Sequence, residues 1–466
     1  MTIRQMKRAI CAQRGLLLVV LALVVVQLVP SSVEGAPGGR MVVAVPPFQP
    51  LVPSASDREL GESLSEAMSR GLGALRALRV VEPGPLSQAM ERHGARWGEA
   101  TPSAILLAAK SLSADVVIDG RFRTEGTMVR LQARVIDLAE HREARALEEA
   151  PAALSDLFAA QGRLTRAVVD QLGVTMSKAE QARIAAAFAR PADSLVAYAY
   201  YARGRRQHTL RTKEGYSLAA ELLFKAIAID GNFALAHHEL GLVFMAMDNR
   251  WRAAGEFRKA IQLDANLPEA YKNLGDLFFT SPRRLYAQAI EAYTKAAELY
   301  PEYTDAYVGL GEVMSAQGKQ EEAVAAYQKA LSIEPDEPRI HFGLGKIYYN
   351  EKGLYHEAVA EYQKAITLDP RFLEAYLNLG EIYEEKGLYK EAADSYERAL
   401  QVDPKQPSAH YGLAMALERF DRDLAIAAWE RYLRIAPEQS SEKDWLDIAK
   451  KHLKKLKGDS GERKGE

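Results

Sequence analysis

With 466 residues the chain has room for two or three domains, and its 48% hydrophobic content is that of globular material able to bury a core. Lys+Arg 60 against Asp+Glu 62 gives a formal net charge of -2, which excludes an overall field that would attract nucleic acid or an acidic membrane surface. Any charged partner must therefore be met locally.

The first predicted element is an export signal over residues 1–36. Basic residues precede an apolar stretch at residues 16–28, which is shorter than the roughly 20 residues that span a bilayer. Gly35 and Ala36 offer sites for a signal peptidase, but Pro37 makes the second a poor one. A cleaved signal and a retained membrane anchor both stay open, and in either case the rest of the chain is expected to be exported.

Residues 40–175 predict a mixed α/β layer that ends in an antiparallel hairpin. A buried strand runs into Pro46-Pro47, and a turn at Glu125-Gly126 joins the last two strands. The expected strands cover residues 41–45, 78–81, 114–122 and 129–138. The expected helices begin at Asp57 and lie near residues 87–91, 102–112 and 154–172.

The amino-acid sequence of this segment resembles that of the α/β domain at the amino terminus of the periplasmic protein TolB. The similar motifs are VAVPPF at residues 43–48, ADVVIDGRF at 114–122 and VRLQARVIDL at 129–138. They are signatures of a fold rather than of an active site. The resemblance implies a bacterial chain, a periplasmic location, and an assembly domain that often precedes a repeat array.

Residues 195–437 repeat a pattern at intervals of 34 to 37 residues. A small residue recurs at Gly204, Gly241, Gly275, Gly311, Gly345, Gly380 and Ala414. A tyrosine or histidine stands four residues before each of them. Further along, an alanine is followed four residues later by Leu223, Phe257, Tyr293, Tyr327, Tyr362, Tyr396 or Trp429. Proline closes the last five units.

This pattern resembles the tetratricopeptide-repeat family and covers roughly half of the chain. Its physical reason is that small residues let two helices approach closely, an aromatic ring fills the space beside them, and proline ends the second helix. One hairpin cannot bury its apolar side, so the units must stack. The predicted fold class is therefore an α+β domain followed by an all-α solenoid of seven helical hairpins, with a concave groove that holds a protein or peptide.

A last amphipathic helix is predicted over residues 441–457, followed by a polar tail at 458–466. Its apolar side is expected to cap the seventh hairpin, where the repeat pattern becomes irregular. Its other side carries lysines. Both a solubilising end cap and a docking patch for an acidic partner agree with this composition.

The helical register predicts which first-helix residues face the groove. These residues stand one position after the aromatic residue, one position after the small residue, and four positions after the small residue. The candidate partner-binding residues are Lys272, Asp276, Phe279, Glu312, Phe342, Lys346, Tyr349, Leu377, Glu381 and Tyr411. The large aromatic residues among them either contact a partner or pad against the neighbouring unit.

No motif in the sequence indicates catalysis, a cofactor or a metal. The only cysteine, Cys11, precedes the apolar stretch, so the exported part has no thiol. His237, His341 and His410 occupy the aromatic position of the repeats and are interpreted as packing residues. The pair Gly71 and Gly73 lies inside a helical pattern rather than at a phosphate-binding turn.

The sequence thus predicts a non-enzymatic periplasmic scaffold that binds protein partners and supports a cell-envelope machine for motility, secretin assembly or export. Its partners are proteins or peptides of an envelope complex, without nucleic acid, and with membrane contact only through an uncleaved N-terminal segment. Two other classes stay open. One is a sensory protein whose N-terminal domain binds a small ligand; the other is an enzyme with an unfamiliar site in that domain.

Overall fold

The computed structural model describes residues 40–52, 57–95, 101–139, 146–189, 192–350, 354–435 and 443–458. The predicted export signal and all of the polar tail after residue 458 lie outside these ranges. The chain divides into two compact units, residues 1–249 and 250–466, and each is described by itself.

The first unit opens with a seven-stranded sheet in the order β3-β1-β4-β5-β6. β1 pairs in parallel with β3 and β4, β4 and β5 form the predicted antiparallel hairpin, and β2 and β7 pair with β4 and β5. The strands are β1 Met41–Ala44, β2 Gln49–Pro50, β3 Leu78–Val80, β4 Val116–Glu125, β5 Met128–Asp137, β6 Leu147–Glu148 and β7 Ala152–Ala153.

Pro46 and Pro47, which follow β1, interrupt the strand and do not end its pairing with β4. β1 and β2 pair with successive parts of β4, on either side of the Pro46-Pro47 segment. The buried ring of Phe48 crosses β4 at Gly120, where an added Cβ would lie 2.3 Å from the ring. Because no side chain fits in that space, glycine at position 120 is required by packing.

Helices cover both faces of the sheet. α2 and α3 pack on the face that carries Val42 and Ile136, while α4 packs on β5 from the other side. Ile136 is therefore buried, although simple alternation along β5 would point it outward. The helices are α1 Asp57–Leu72, α2 Pro83–Arg92, α3 Pro102–Ser111, α4 Leu157–Gln171 and α5 Lys178–Ala187. The helix predicted near residues 87–91 begins earlier, because proline is favoured in the first helical turn.

The repeat region folds as consecutive helices in the described residues. In the first unit these are α6 Leu195–His208, α7 Lys213–Ile229 and α8 Ala234–Ala246. In the second unit they are α9 Arg250–Leu263, α10 Pro268–Phe279, α11 Tyr286–Leu299, α12 Thr304–Ala316, α13 Gln320–Ile333, α14 Pro338–Asn350, α15 Tyr355–Leu368, α16 Leu373–Glu385, α17 Tyr389–Val402, α18 Pro407–Leu417, α19 Arg422–Ile435 and α20 Lys443–Gly458. The predicted fold class is confirmed.

The last helix, α20, lies where a cap was expected. Leu446, Leu453 and Leu456 pack against the hydrophobic cluster built by α17, α18 and α19, and Ala449 is buried there. The lysines of its other side are exposed. In the described residues, no helix is both long enough and apolar enough to cross a membrane.

The start of the repeats is joined to the sheet region inside the first unit. α6 packs on α1 and α2, and a row of arginines on α6 meets glutamates on α1. Arg206 binds Glu62 at 3.1 Å, and Arg205 lies between Glu66 and Glu239, both of which are buried. Burial raises the pKa of Glu66, even though Arg205 acts in the opposite direction.

Candidate protein-binding groove

Each repeat is a hairpin made of a first helix and a second helix. In residues 250–466, tyrosines of the second helices set the spacing between successive first helices. Tyr293 of α11 is buried against Gly275 of α10 and Gly309 of α12. Tyr327 of α13 repeats this arrangement between Gly311 and Gly343, and Tyr396 of α17 repeats it between Gly380 and Gly412. Each ring thus passes between the first helix of its own repeat and the first helix of the next. A Cβ on these glycines would lie within 3 Å of the ring.

The sequence predicted only half of this arrangement. It identified the first glycine of each pair and assigned the tyrosine to the space beside the hairpin. The second glycine, at positions 309, 343 and 412, was missed. It recurs two residues before the predicted small residue, so the signal was present. Beside Tyr362 of the fifth repeat, Asn378 of the sixth repeat takes the place of the second glycine and donates a hydrogen bond to the Tyr362 hydroxyl at 3.1 Å.

The histidines of the aromatic position pack between repeats, as predicted. His410 Nε2 lies 3.0 Å from the carbonyl oxygen of Pro404, and His341 Nε2 lies 3.2 Å from that of Pro335. The hydroxyl of Tyr376, in the same position of the sixth repeat, donates to the carbonyl oxygen of Pro370. A tyrosine and a histidine can therefore alternate here because both reach the proline that closes the preceding unit.

We call the outer side of the first helices α10, α12, α14, α16 and α18 the groove face. It is defined by Lys272, Asp276, Glu312, Lys346, Glu381, Glu384 and Glu385. Two of the buried tyrosines reach it with their hydroxyl groups. Tyr293 donates to Asp276 at 2.8 Å, and Tyr396 donates to Glu384 at 2.8 Å. The base of the groove face is therefore lined by phenol hydroxyls.

The charged candidates occupy the groove face. Glu312, Lys346 and Glu381 are exposed, whereas Lys272 and Asp276 are half-buried and form an ion pair of 2.9 Å. This pair lies one helical turn apart on α10, so it is held by the helix itself. Three charges on three successive first helices are therefore presented to solvent.

The aromatic and aliphatic candidates pack against other helices. Phe342 lies between Tyr362 and Phe372, with ring centroids 5.7 and 5.1 Å away. The other rings are half-buried: Tyr411 contacts Trp429, Tyr432 and Trp445; Tyr349 contacts Tyr355; and Phe279 contacts Tyr286. Leu377 is half-buried beside the α17–α19 cluster. These residues pad the repeats, and their contact with a partner stays a prediction.

The surroundings of the carboxylates on the groove face disfavour their charged forms. The Glu381 side chain reaches solvent, but the surrounding protein partly desolvates its carboxylate and so raises its pKa, and the neighbouring Glu385 raises that pKa further. The pKa of Glu384 is raised by burial and by Glu381, although it accepts a hydrogen bond from Tyr396. Carboxyl groups in this state gain from a nearby cation, because a cation favours their charged form.

Family comparisons bear on the second unit. A family model described as "TPR repeat" matches residues 314–351 and 349–387, and one described as "Tetratricopeptide repeat" matches residues 373–406. This chain carries tetratricopeptide repeats. Repeats of this family are typical of protein-interaction scaffolds and bind protein or peptide partners. The resemblance of residues 40–175 to TolB stays a prediction.

Several solved structures are similar to this tetratricopeptide-repeat chain. The Cut9–Hcn1 hetero-tetramer of APC/C shares 18% identity with a TM-score of 0.45, over 64% of this chain and 53% of that one, so this chain spans about half of its length. MamA shares 30% identity with a TM-score of 0.32, and the match covers 36% of this chain and 95% of MamA. Pseudomonas aeruginosa pilF shares 21% identity with a TM-score of 0.40, and the match covers 46% of this chain and 97% of pilF. A comparison with curated proteins found no match.

The described residues contain no group of three or more His, Cys, Asp or Glu side chains placed to hold a metal ion. The ring nitrogens of His208, His341, His410 and His452 contact carboxylates or backbone carbonyls, as with His452 Nδ1 and Glu418 at 2.8 Å. The acidic side chains of the groove face are arranged along successive helices instead of around one point. This geometry is suited to an extended partner.

Replacing Tyr396 by phenylalanine is expected to lower the free energy of unfolding of the second unit by about 1 kcal/mol, because Glu384 loses its hydrogen-bond donor. Tyr327→Phe is the matched control, since its hydroxyl makes no hydrogen bond to any described residue. Urea denaturation followed by circular dichroism measures both. Equal losses in the two variants would show that the hydroxyl of Tyr396 contributes nothing through Glu384.

Proposed function

We propose that this chain is an exported, non-enzymatic adaptor of the bacterial cell envelope, which holds a protein partner on the groove face of its tetratricopeptide repeats. Its place is the periplasm, with membrane contact only through the N-terminal segment if that segment is uncleaved. The partner belongs to an envelope machine for motility, secretin assembly or export.

The observation that carries the proposal is the row of exposed charges Glu312, Lys346 and Glu381 on successive first helices. Side chains that are exposed, charged and aligned along stacked units offer contacts spaced along an extended chain. The predicted export signal and the resemblance of residues 40–175 to the TolB domain support the periplasmic location.

Affinity capture from the envelope fraction tests the proposal. The groove variant carries Lys272→Glu, Lys346→Glu and Glu381→Lys. The control variant carries Lys295→Glu, Lys390→Glu and Glu397→Lys, which reverse the same charges on exposed residues of second helices. The natural chain and the control variant should capture the same proteins, and the groove variant should recover at least tenfold less.

Three outcomes contradict parts of the proposal. Unchanged capture by a folded groove variant would overturn the groove assignment and leave a scaffold that binds elsewhere. Recovery of the natural chain in the soluble cytoplasmic fraction, and not in the periplasmic or membrane fraction, would overturn the export. An empty capture, together with a thermal shift caused by a small ligand, would favour the sensory protein over the adaptor.

A further inference from the structure

One phenol on the groove face lacks the partner that the equivalent phenols have. Tyr327 is 2% exposed, and its ring passes between Gly311 and Gly343. In the equivalent positions Tyr293 donates to Asp276, and Tyr396 donates to Glu384. The Tyr327 hydroxyl makes no hydrogen bond to any residue that the structure describes. It is therefore a donor at the base of the groove face that is available to a bound molecule.

The carboxylates of the groove face on α12 and α16 are also available. The side chain of Glu312, whose charge acts on Tyr327, is exposed. Within the described residues neither Glu312 nor Glu381 forms an ion pair. Glu384 and Glu385 accept hydrogen bonds only from the phenols of Tyr396 and Tyr349, which bring no positive charge.

The cations on this part of the face do not balance these groups. Lys272 is held by Asp276 at 2.9 Å. Arg339 pairs with Asp305 and Glu337 and acts on Glu312 only through its longer-range charge, and Arg419 acts on Glu384 in the same way. Lys346, whose Nζ lies 5.8 Å from the centroid of the Phe342 ring, forms no ion pair within the described residues. The four carboxylates at positions 312, 381, 384 and 385 thus outnumber the two cations near them that are not already held in ion pairs of the described residues, Lys346 and Arg419. The charge of the face between α12 and α16 is complementary to a basic partner and repels an acidic one.

We propose that the groove face between α12 and α16 binds an extended peptide segment rich in lysine or arginine, which belongs to the partner protein. Its basic side chains pair with Glu312 and Glu381, and the Tyr327 hydroxyl donates to a carbonyl oxygen of its backbone. This inference rests on the proposed function, because it names the chemical class of the protein that the scaffold holds.

Fluorescence anisotropy with the full chain tests the inference without the natural partner. The probe is a labelled 12-residue peptide of alternating lysine and serine, and the comparison peptides carry glutamate or glutamine in place of lysine. A charged peptide of this kind is extended by its own repulsion. The lysine peptide should bind at least tenfold more tightly than either comparison peptide, since two partly screened ion pairs of about 0.7 kcal/mol each give a factor of roughly ten.

Matched variants separate the site from general attraction. Glu312→Gln with Glu381→Gln should weaken the lysine peptide about tenfold. Glu322→Gln with Glu397→Gln, which neutralises two exposed glutamates on second helices, should leave its affinity unchanged. Tyr327→Phe should weaken it about fivefold, as expected for one lost hydrogen bond, without changing the urea midpoint of unfolding.

Several results would overturn the inference. These are equal binding of all three peptides, equal losses in the two glutamate variants, or no binding of the lysine peptide to the natural chain. Each of them leaves the capture experiment standing, because a partner without a basic segment can still require the groove face. Conversely, failed capture with specific binding of the lysine peptide would count against the envelope adaptor and not against this site.

Discussion

Replacing Arg205 by methionine is expected to lower the free energy of unfolding of the first unit by about 3 kcal/mol. Arg205 is the cation shared by Glu66 and Glu239, which are both buried. Methionine retains much of the side-chain length but leaves the carboxylates without this cation. Glu239 still has its hydrogen bond with His208 at 2.6 Å, so the penalty falls mainly on Glu66.

Hydrogen exchange of the amides of α1 and α6 measures this loss. A change of 3 kcal/mol corresponds to roughly hundredfold faster exchange through unfolding of these helices. Arg203→Met is the control, because Arg203 pairs with Glu59 at 3.3 Å where both side chains are exposed. An exposed pair of this kind contributes at most about 1 kcal/mol. Similar exchange in the two variants would contradict a special role for Arg205.

A second substitution distinguishes lost charge pairing from lost packing. Adding Glu66→Leu to the Arg205→Met chain removes the buried carboxylate together with its missing cation. Replacement of a buried ion pair by apolar side chains is often neutral, so the double variant should regain most of the lost stability. If it is no more stable than Arg205→Met alone, the loss comes from packing of the arginine stem instead.

This junction between α1 and α6 is the part of the fold that the sequence could not predict. Arg203, Arg205 and Arg206 look like a solvated helix face in the sequence, and Glu62 and Glu66 on α1 look the same. Nothing local indicates that the two faces meet, since the residues are about 140 positions apart. Pairing over such a separation follows from tertiary packing alone.

The repeat array was predictable because the residues that pack its helices together recur at a nearly fixed interval in the sequence. The small residue and the aromatic residue recur at intervals that one hairpin sets, so their roles could be inferred before any contact was known. The groove face was only partly predictable. Helical register placed Glu312, Lys346 and Glu381 on it, but register treats every second-helix tyrosine alike. It cannot show that Tyr396 has an acceptor on this face, whereas the Tyr327 hydroxyl has none within the described residues.

Replacing Gly343 by alanine is expected to lower the free energy of unfolding of the second unit by about 2 kcal/mol. The added Cβ would lie 2.4 Å from Cζ of Tyr327 and 2.6 Å from its hydroxyl oxygen. The buried ring is held on its other side by Gly311, so it cannot move away without separating α12 from α14. The methyl group therefore costs more than the helix propensity of alanine returns.

Gly255→Ala is the matched control in the same unit. Gly255 lies inside α9, and an added Cβ would meet nothing within 4 Å. There the substitution should stabilise the chain by about 0.5–1 kcal/mol, because alanine loses less backbone entropy in a helix than glycine does. Urea denaturation of the two variants should thus give shifts of opposite sign.

A double-mutant cycle with Tyr327→Leu identifies the contact that is responsible. Leucine is shorter than the ring, so it loses packing between α12 and α14 but leaves room for a methyl group at position 343. In the Tyr327→Leu chain, Gly343→Ala should therefore cost less than 1 kcal/mol, and the coupling energy between the two positions should exceed 1 kcal/mol. Additive effects would mean that the glycine is needed for another reason. In that case the tyrosine between two first helices would not be what sets their spacing, nor the spacing of the charges on the groove face.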